Sequence, residues 1–364
     1  MREQKGNTTK KVGWFCTYTP EEVIHAAGFT PHRLLPGPGS GNGPVEDALP
    51  GSICPYPRKI LSNLRSSIYD ELAGIVVANS CNAMIHLYNV LKEESGPFVY
   101  LLDVPRRQDQ EAVNYYTREL ELLADYLGKK GQPVNAENLT RSLNIYRRKK
   151  LLLDEYSRLY GLGALNQDRA GLYGLAIEAA NSEPEAFNKK LSGVLEGRQK
   201  KRGAPGAVQQ GDNPSALLLA GGLPPQGLVE LLSEQSGLLL YPENCAGIRY
   251  LQKPGPPALS GGDLSRKEIL HIISGNYLAK LPCPRVFNHR AREDYYCRLL
   301  DELAVRAVIY HDLLFCDMCH YDYLLLKDLL KKRDIPHLKV KTELGQEDLG
   351  QLKTRVEAFL EILA

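Results

Sequence analysis

Eight cysteines, at positions 16, 54, 81, 245, 283, 297, 316 and 319, are the residues of this sequence best suited to chemistry. A thiolate ligates soft metals or exchanges electrons with a second thiol, whereas a protonated buried cysteine packs as a small hydrophobe. Cys316 and Cys319 form the one CxxC pair, and the second pair usual in a structural zinc site does not follow. Cys54 in GSICPYPRKI and Cys283 in CPRVF each stand directly before a proline. A DELA tetrapeptide follows 16 and 18 residues later, at 70 and 301, then a strand-like run, GIVVAN (74–79) or AVIYH (307–311), and then Cys81 or Cys316. That ordered echo points to a diverged duplication with cysteines at matching points of two lobes. Cys16 and Cys245 stand 38 residues before Cys54 and Cys283, but Cys16 precedes a helix while Cys245 follows a helix and a strand, so the equal spacing carries little weight.

The elements that must position these thiols follow from local patterns. Thr19, Pro20 and Glu22 predict a helix start with a capping box directly after Cys16. A helical segment is expected through RKILSNLRSSIYDELA, and buried parallel strands at GIVVAN and FVYLLDV (98–104). Helical spacing predicts helices from Asp109 to about Gly128, from Ala136 to Tyr160 behind an Asn135 cap, from about Leu165 to Ala180, and a shorter one to Glu196. Strands return at ALLLAGG, LLLY, AVIYH and LKVKTE. The expected fold is α/β, two Rossmann-like lobes with parallel sheets related by a diverged duplication, plus a helical middle section. The boundaries read as 1–108 for the N-terminal lobe, 109–196 for the helical section, 197–215 for a hinge or exposed loop, and 216–364 for the C-terminal lobe.

Ligands of open α/β sheets collect outside the C-terminal ends of strands. Cys81, Cys245 and Cys316 stand at or just after such ends, and the proline loops at Cys54 and Cys283 can fold over the same edge. Convergent thiolates mean zinc or iron–sulfur, and dispersal over two lobes suits a cluster held between domains. Unligated buried cysteines and a lone CxxC redox pair are the alternatives. Composition excludes more than it assigns. A formal charge of +2 on 364 residues demands neither nucleic acid nor an anionic membrane as partner. No run approaches the ~20 apolar residues of a membrane span, and the expectation is a soluble, cytoplasmic chain with reduced thiols.

GWFCTYTPEEVIHAAGFTPHRLL resembles the opening of the 2-hydroxyacyl-CoA dehydratase D-component family, which includes dehydratase and benzoyl-CoA reductase subunits and the homodimeric double-cubane cluster proteins. The resemblance continues through CPYPRK, NSCNAM, DVPRRQDQEAVNYYTRELELL, YPENCAG, FCDMCHYDYLLLKDLL and QLKTRVEAFLEIL, across nearly the whole chain. It implies an oxygen-sensitive iron–sulfur protein served by a dimeric activator ATPase that carries its own [4Fe-4S] cluster. Dehydratase subunits of the family hold a [4Fe-4S] cluster through three cysteines, matched here by Cys54, Cys81 and Cys316. Double-cubane proteins use six for an [8Fe-9S] cluster, and Cys16, Cys245 and Cys283 complete that number, with Cys319 as a substitute for Cys316. The six cysteines favour the double-cubane branch.

The expected function is thus a low-potential reductase of a small molecule, driven by ATP hydrolysis on the partner. A [4Fe-4S] subunit of a dehydratase or benzoyl-CoA reductase, paired in a heterodimer, is the second reading, and a non-catalytic electron-storage or cluster-carrier protein the third. No P-loop is present, so no nucleotide is expected on this chain. His311 is a weak candidate proton donor beside the cleft, with His86 and His320 also following cysteines. Arg58 and Arg285 are candidate counter-charges for a cluster. Cys297 reads as a packed helix cysteine, and the basic run GRQKKRG (197–203) as a solvated loop.

Overall fold

The computed structural model describes residues 10–36, 44–162, 171–202, 215–251, 264–280, 283–286, 288–344 and 349–363. The N-terminal part runs β1 (Lys11–Trp14), α1 (Glu21–Ala26), β2 (Thr30–Arg33), α2 (Pro55–Arg65), β3 (Leu72–Ala78), α3 (Asn82–Glu93) and β4 (Phe98–Leu102). Four helices follow: α4 (Gln110–Lys130), α5 (Ala136–Gly161), α6 (Gly171–Asn181) and α7 (Pro184–Arg202). The C-terminal part runs β5 (Ala216–Gly221), α8 (Gln226–Gln235), β6 (Leu239–Glu243), α9 (Arg266–Leu278), α10 (His289–Glu302), β7 (Val305–Leu313), α11 (Asp317–Lys332), β8 (His337–Thr342) and α12 (Leu349–Glu361).

Both sheets are wholly parallel, in the orders β2-β1-β3-β4 and β6-β5-β7-β8, so the second repeats the first strand for strand. Even the irregularities correspond. The register slips between Lys11 and Val12 where β1 meets β3, and between Ala216 and Leu217 where β5 meets β7. The fold is therefore α/β with two Rossmann-like lobes and a helical middle, as the alternating β-branched runs imply. Parallel strands covered on both faces need continuous apolar sequence, which explains why Ile75, Val76, Val77 and Ala78 in β3 and Ala307 to Tyr310 in β7 are all fully buried. One core runs from Trp14 and Tyr116 through α5 to Tyr296 and Tyr310, so the helical section joins the lobes.

Several local expectations shift. The helix after Cys16 starts at Glu21 with Pro20, not Thr19, at its N-cap, and the capping box does not form. The Glu22 carboxylate accepts instead from the Tyr277 hydroxyl at 2.6 Å, and Thr19 Oγ1 is buried without a partner. The helix expected through DELA stops at Arg65, because Ser67 adopts a left-handed φ of 58° and Ile68 N–H returns to the Asn63 carbonyl, a Schellman ending. DELA then leads into β3, as its counterpart leads into β7. Asn135 caps α5 with a full capping box, as its sequence implies. α7 continues through the basic run to Arg202, beyond the expected end at Glu196, whereas the rest of the 197–215 segment up to residue 214, like the start of the helix expected from Leu165, lies outside the described residues.

Candidate metal centre

In each sheet the chain turns opposite ways from two central strands, β1 and β3 or β5 and β7, and the crevice beyond their C-terminal ends is where such folds bind ligands. Cys16 follows β1, Cys81 caps α3 directly after β3, and Cys316 caps α11 directly after β7. Behind β5 the corresponding turn is Gly221–Gly222. Gly221 has φ +105°, and a Cβ on Gly222 would stand 3.2 Å from Cys319 Sγ, so only glycine brings that turn so close to the thiol. Cys54 is the N-cap of α2 with Pro55 at N1, a position that suits proline because the first helical N–H has no partner.

The cysteines separate into two groups. Cys54, Cys81, Cys316 and Cys319 form the first, in which Cys54, Cys81 and Cys316 pack with Ala83, Leu313 and Leu344. The sulfurs of Cys316 and Cys319 are 3.4 Å apart. Hydrogen bonding with Cys319 and then with Cys54 holds the Cys316 pKa well below that of an ordinary thiol, while Cys54 and Cys319 are pushed up. Cys16, Cys245 and Cys283 form the second group. Burial raises the Cys16 thiol to about 11, Arg285 opposes it, and Cys283 and Cys245 add repulsion. Tyr56, two residues after Cys54, packs both against the apolar cluster that Cys245 borders and against the one with Cys54, Cys81 and Cys316, and so lies between the groups. Cys297 belongs to neither: it packs from α10 against the core, as its helical spacing implies.

Arg285 reaches from the Cys283 loop to the opposite lobe. It donates to the carbonyls of Pro105 (3.0 Å), Asn79 (3.1 Å) and Val104 (2.7 Å), beyond the ends of β3 and β4. Arg58 turns away and pairs with Glu46 at 2.7 Å. His311 is fully buried, shares a 2.8 Å hydrogen bond with Thr342, and is pulled by burial to about 4, so it is neutral near pH 7 and ill suited to act as an imidazolium acid. His86 is exposed, and His320, also largely exposed, faces Asp312.

Sequence reasoning missed the charges that hold the cysteine-bearing elements together. Glu243, two residues before Cys245, accepts from Arg249 Nε and Nη2 at 2.6 and 2.7 Å and from Arg292 at 3.3 Å. Arg292 on α10 also grips Asp322 on α11 through two bonds of 2.8 Å. Burial pushes both carboxyls up, but the guanidinium charges outweigh it and leave them below the ordinary range. Tyr310 binds the Cys319 carbonyl at 2.5 Å. The acids stand inside YPENC and FCDMCHYD, beside the cysteines, which was the one available signal.

A family model described as 2-hydroxyglutaryl-CoA dehydratase, D-component, matches residues 16–363. The chain belongs to this D-component family. It is similar to the (R)-phenyllactyl-CoA dehydratase beta subunit of Clostridium sporogenes, 20% identical over all of this chain and 94% of that protein. It is similar also to the beta subunit of (R)-2-hydroxyglutaryl-CoA dehydratase from Acidaminococcus fermentans, 21% identical over all of this chain and 95% of that one. One of the benzoyl-CoA reductase subunits of Thauera aromatica is 30% identical over 42% of this chain and 40% of its own length. D-components are thus subunits of dehydratases and reductases. The thiols of this D-component fit an iron–sulfur group by their donor chemistry: soft sulfur donors, Cys54 and Cys319 buried and the others half-buried, beyond the strand ends of each sheet. No described helix is long and apolar enough to cross a membrane.

Two further features lie outside the thiol groups. A cavity of about 480 Å³ opens between α4, α9 and α10, lined by Gln108, Asp294, Arg298 and Lys280, and Lys280 Nζ binds the carbonyl of Thr17 next to Cys16. On the far side of α1, ligand atoms of His25, Glu183 and Glu185 lie within 4.8 Å of one another. Burial, then the hydrogen bond with Glu183, raises Glu185 to about 7. A raised acid stabilises the fold fully below its unfolded value and loses that contribution as pH rises through the folded value. The melting temperature should therefore fall between pH 5 and 8, and Glu185→Gln should flatten that part of the profile. An unchanged slope in the variant would refute the shared proton.

Proposed function

We propose that this D-component is an iron–sulfur reductase in which Cys16, Cys245 and Cys283 ligate one cubane and Cys54, Cys81 and Cys316 the other, with Cys319 able to replace Cys316. The observation that carries the reading is the division of the thiols into two groups, three in one and three plus Cys319 in the other, around Tyr56. Joined, the two cubanes make an [8Fe-9S] group, which supplies electrons at low potential; the chain supplies ligation, burial and access. Arg285 and the Glu243–Arg249–Arg292–Asp322 network orient the ligand loops, and the cavity beside Lys280 gives a small molecule a path toward Cys16. Electrons come from a dimeric [4Fe-4S] activator ATPase, and the working unit is a homodimer in the cytoplasm.

The names of the relatives favour a second reading, a heterodimeric dehydratase subunit with one [4Fe-4S] cluster on Cys54, Cys81 and Cys316. Single-cysteine variants separate the two. Under the double-cubane reading, Cys16→Ser or Cys245→Ser should lose roughly half of the anaerobically bound iron, since each removes a ligand of one cubane. Full iron in both variants would overturn it in favour of the single cubane. A carrier without catalysis is abandoned if the reduced protein turns over a substrate when supplied with activator and ATP.

A further inference from the structure

Arg33 ends β2 and is 2% exposed. Its Nη1 donates to the Cys245 carbonyl at 2.6 Å, its backbone N–H to Asn181 Oδ1 at 2.8 Å, and its guanidinium stands 4.9 Å from the Trp14 ring and 5.9 Å from that of Tyr250. Nε and Nη2 are buried and have no hydrogen-bond partner. Of the other buried cations, Arg249 and Arg292 are neutralised by Glu243 and Asp322, and Lys149 by Glu21. Among the described residues no carboxylate pairs with Arg33. Arg285, also buried, is held by carbonyls alone, and its Nε has no partner either. Both arginines border the group of Cys16, Cys245 and Cys283.

An unpaired charge in the interior is among the most costly features a fold can keep, and removing its counter-ion destabilises strongly. Arg33 therefore calls for an anion that the described residues do not supply. A thiolate-ligated iron–sulfur group is anionic, and its sulfurs accept N–H hydrogen bonds, which raise its potential together with nearby positive charge. Among the described residues the ionic groups near the first thiols are paired: Arg58, four residues after Cys54, with Glu46, and Asp312 with Lys339 at 2.7 Å, His320 lying 3.6 Å from the same carboxylate.

We propose that Arg33, with Arg285, is the built-in counter-ion of the cubane on Cys16, Cys245 and Cys283, making this half easier to reduce than the half on Cys54, Cys81 and Cys316. This rests on the double-cubane reading. An electron taken from an external one-electron donor then resides on the Arg33 side, next to the cavity at Lys280.

The test compares the anaerobic, iron-loaded full chain with Arg33→Gln and Arg33→Lys by redox titration followed by electron paramagnetic resonance, and by the rate of iron loss to a chelator. In Arg33→Gln one midpoint should fall while the other stays, and iron should leave several-fold faster; Arg33→Lys, which keeps the charge, should restore most of the midpoint. The metal-free chain supplies a sign that a merely structural residue would not give: Arg33→Gln should melt higher than wild type without iron. Unmoved midpoints in a fully loaded Arg33→Gln chain overturn the proposal, as does a metal-free variant that melts lower. If only the KM for an anionic substrate rises, the substrate is the counter-ion and the proposal fails. A wild-type chain that binds no iron removes the cluster reading itself, an outcome distinct from these.

Discussion

Arg292→Met should cost about 3–5 kcal/mol of folding stability, the scale for removing one partner of a buried ion pair. Arg292 bridges Glu243 and Asp322, all three are buried, and Tyr296 adds a 2.8 Å bond to Asp322. Methionine fills the volume of the stem but leaves Asp322 without its cation and Glu243 with the cation of Arg249 and the Tyr296 hydroxyl at 3.2 Å. The expectation extends to the metal site, because Glu243 positions Cys245, α10 follows the Cys283 loop, and Asp322 sits one turn beyond Cys319. Urea unfolding of the metal-free chain should show the loss, and anaerobic reconstitution should show iron reduced in both groups. A loss under about 1 kcal/mol, within the range of an exposed pair, would contradict the structural role. The sign with pH follows from the two carboxyls: their folded pKa values are depressed, so their contribution is complete above the ordinary carboxylate range and lost as pH falls through the folded values.

Lys149→Met should have an effect of similar size, about 3–5 kcal/mol. Lys149 is fully buried in α5, donates to Glu21 at 3.1 Å and to the Ala179 carbonyl at 3.0 Å, and lies 4.3 Å from the Tyr146 ring. Its loss strands the Glu21 carboxylate, which among the described residues keeps the Tyr250 hydroxyl at 3.1 Å. Glu21 stands five residues after Cys16 and Tyr250 five after Cys245, so the pair ties two thiol loops to the helical section. A cycle with Glu21→Gln separates charge from packing: the double variant should recover part of the loss, because no buried charge is then left unpaired. No recovery would mean that the Lys149 stem, not the ion pair, provides the stability.

Six of the eight described strands were legible because buried parallel strands demand near-continuous apolar sequence, whereas β1 (KVGW) and β2 (TPHR) are too short and too polar to show it; the cysteine–DELA–strand–cysteine echo marked the relation of the two sheets. The cysteines were legible as candidates by residue type. Their grouping was not: Cys16 follows β1 and Cys245 follows β6, inequivalent places in the repeat, yet they share a group. The ionic network left no periodic trace, since Glu243, Arg292 and Asp322 lie on three elements 49 and 30 residues apart. Arg33 is likewise visible only in space, where no acid of the described residues pairs with it. The failed capping box has the same origin: a tertiary partner, Tyr277 on α9, takes the Glu22 carboxylate that local sequence assigns to the helix start. Arg58 and Arg285 each stand near a CP dipeptide, and only the folded chain distinguishes the one that faces Glu46 from the one that faces Cys16.

The central claim is that both thiol groups hold iron, and the most direct test is iron and acid-labile sulfide per chain after strictly anaerobic purification. About eight irons and nine sulfides are expected for the joined cubanes. About four irons would contradict the double cubane and leave the single-cluster dehydratase subunit, and none would contradict both.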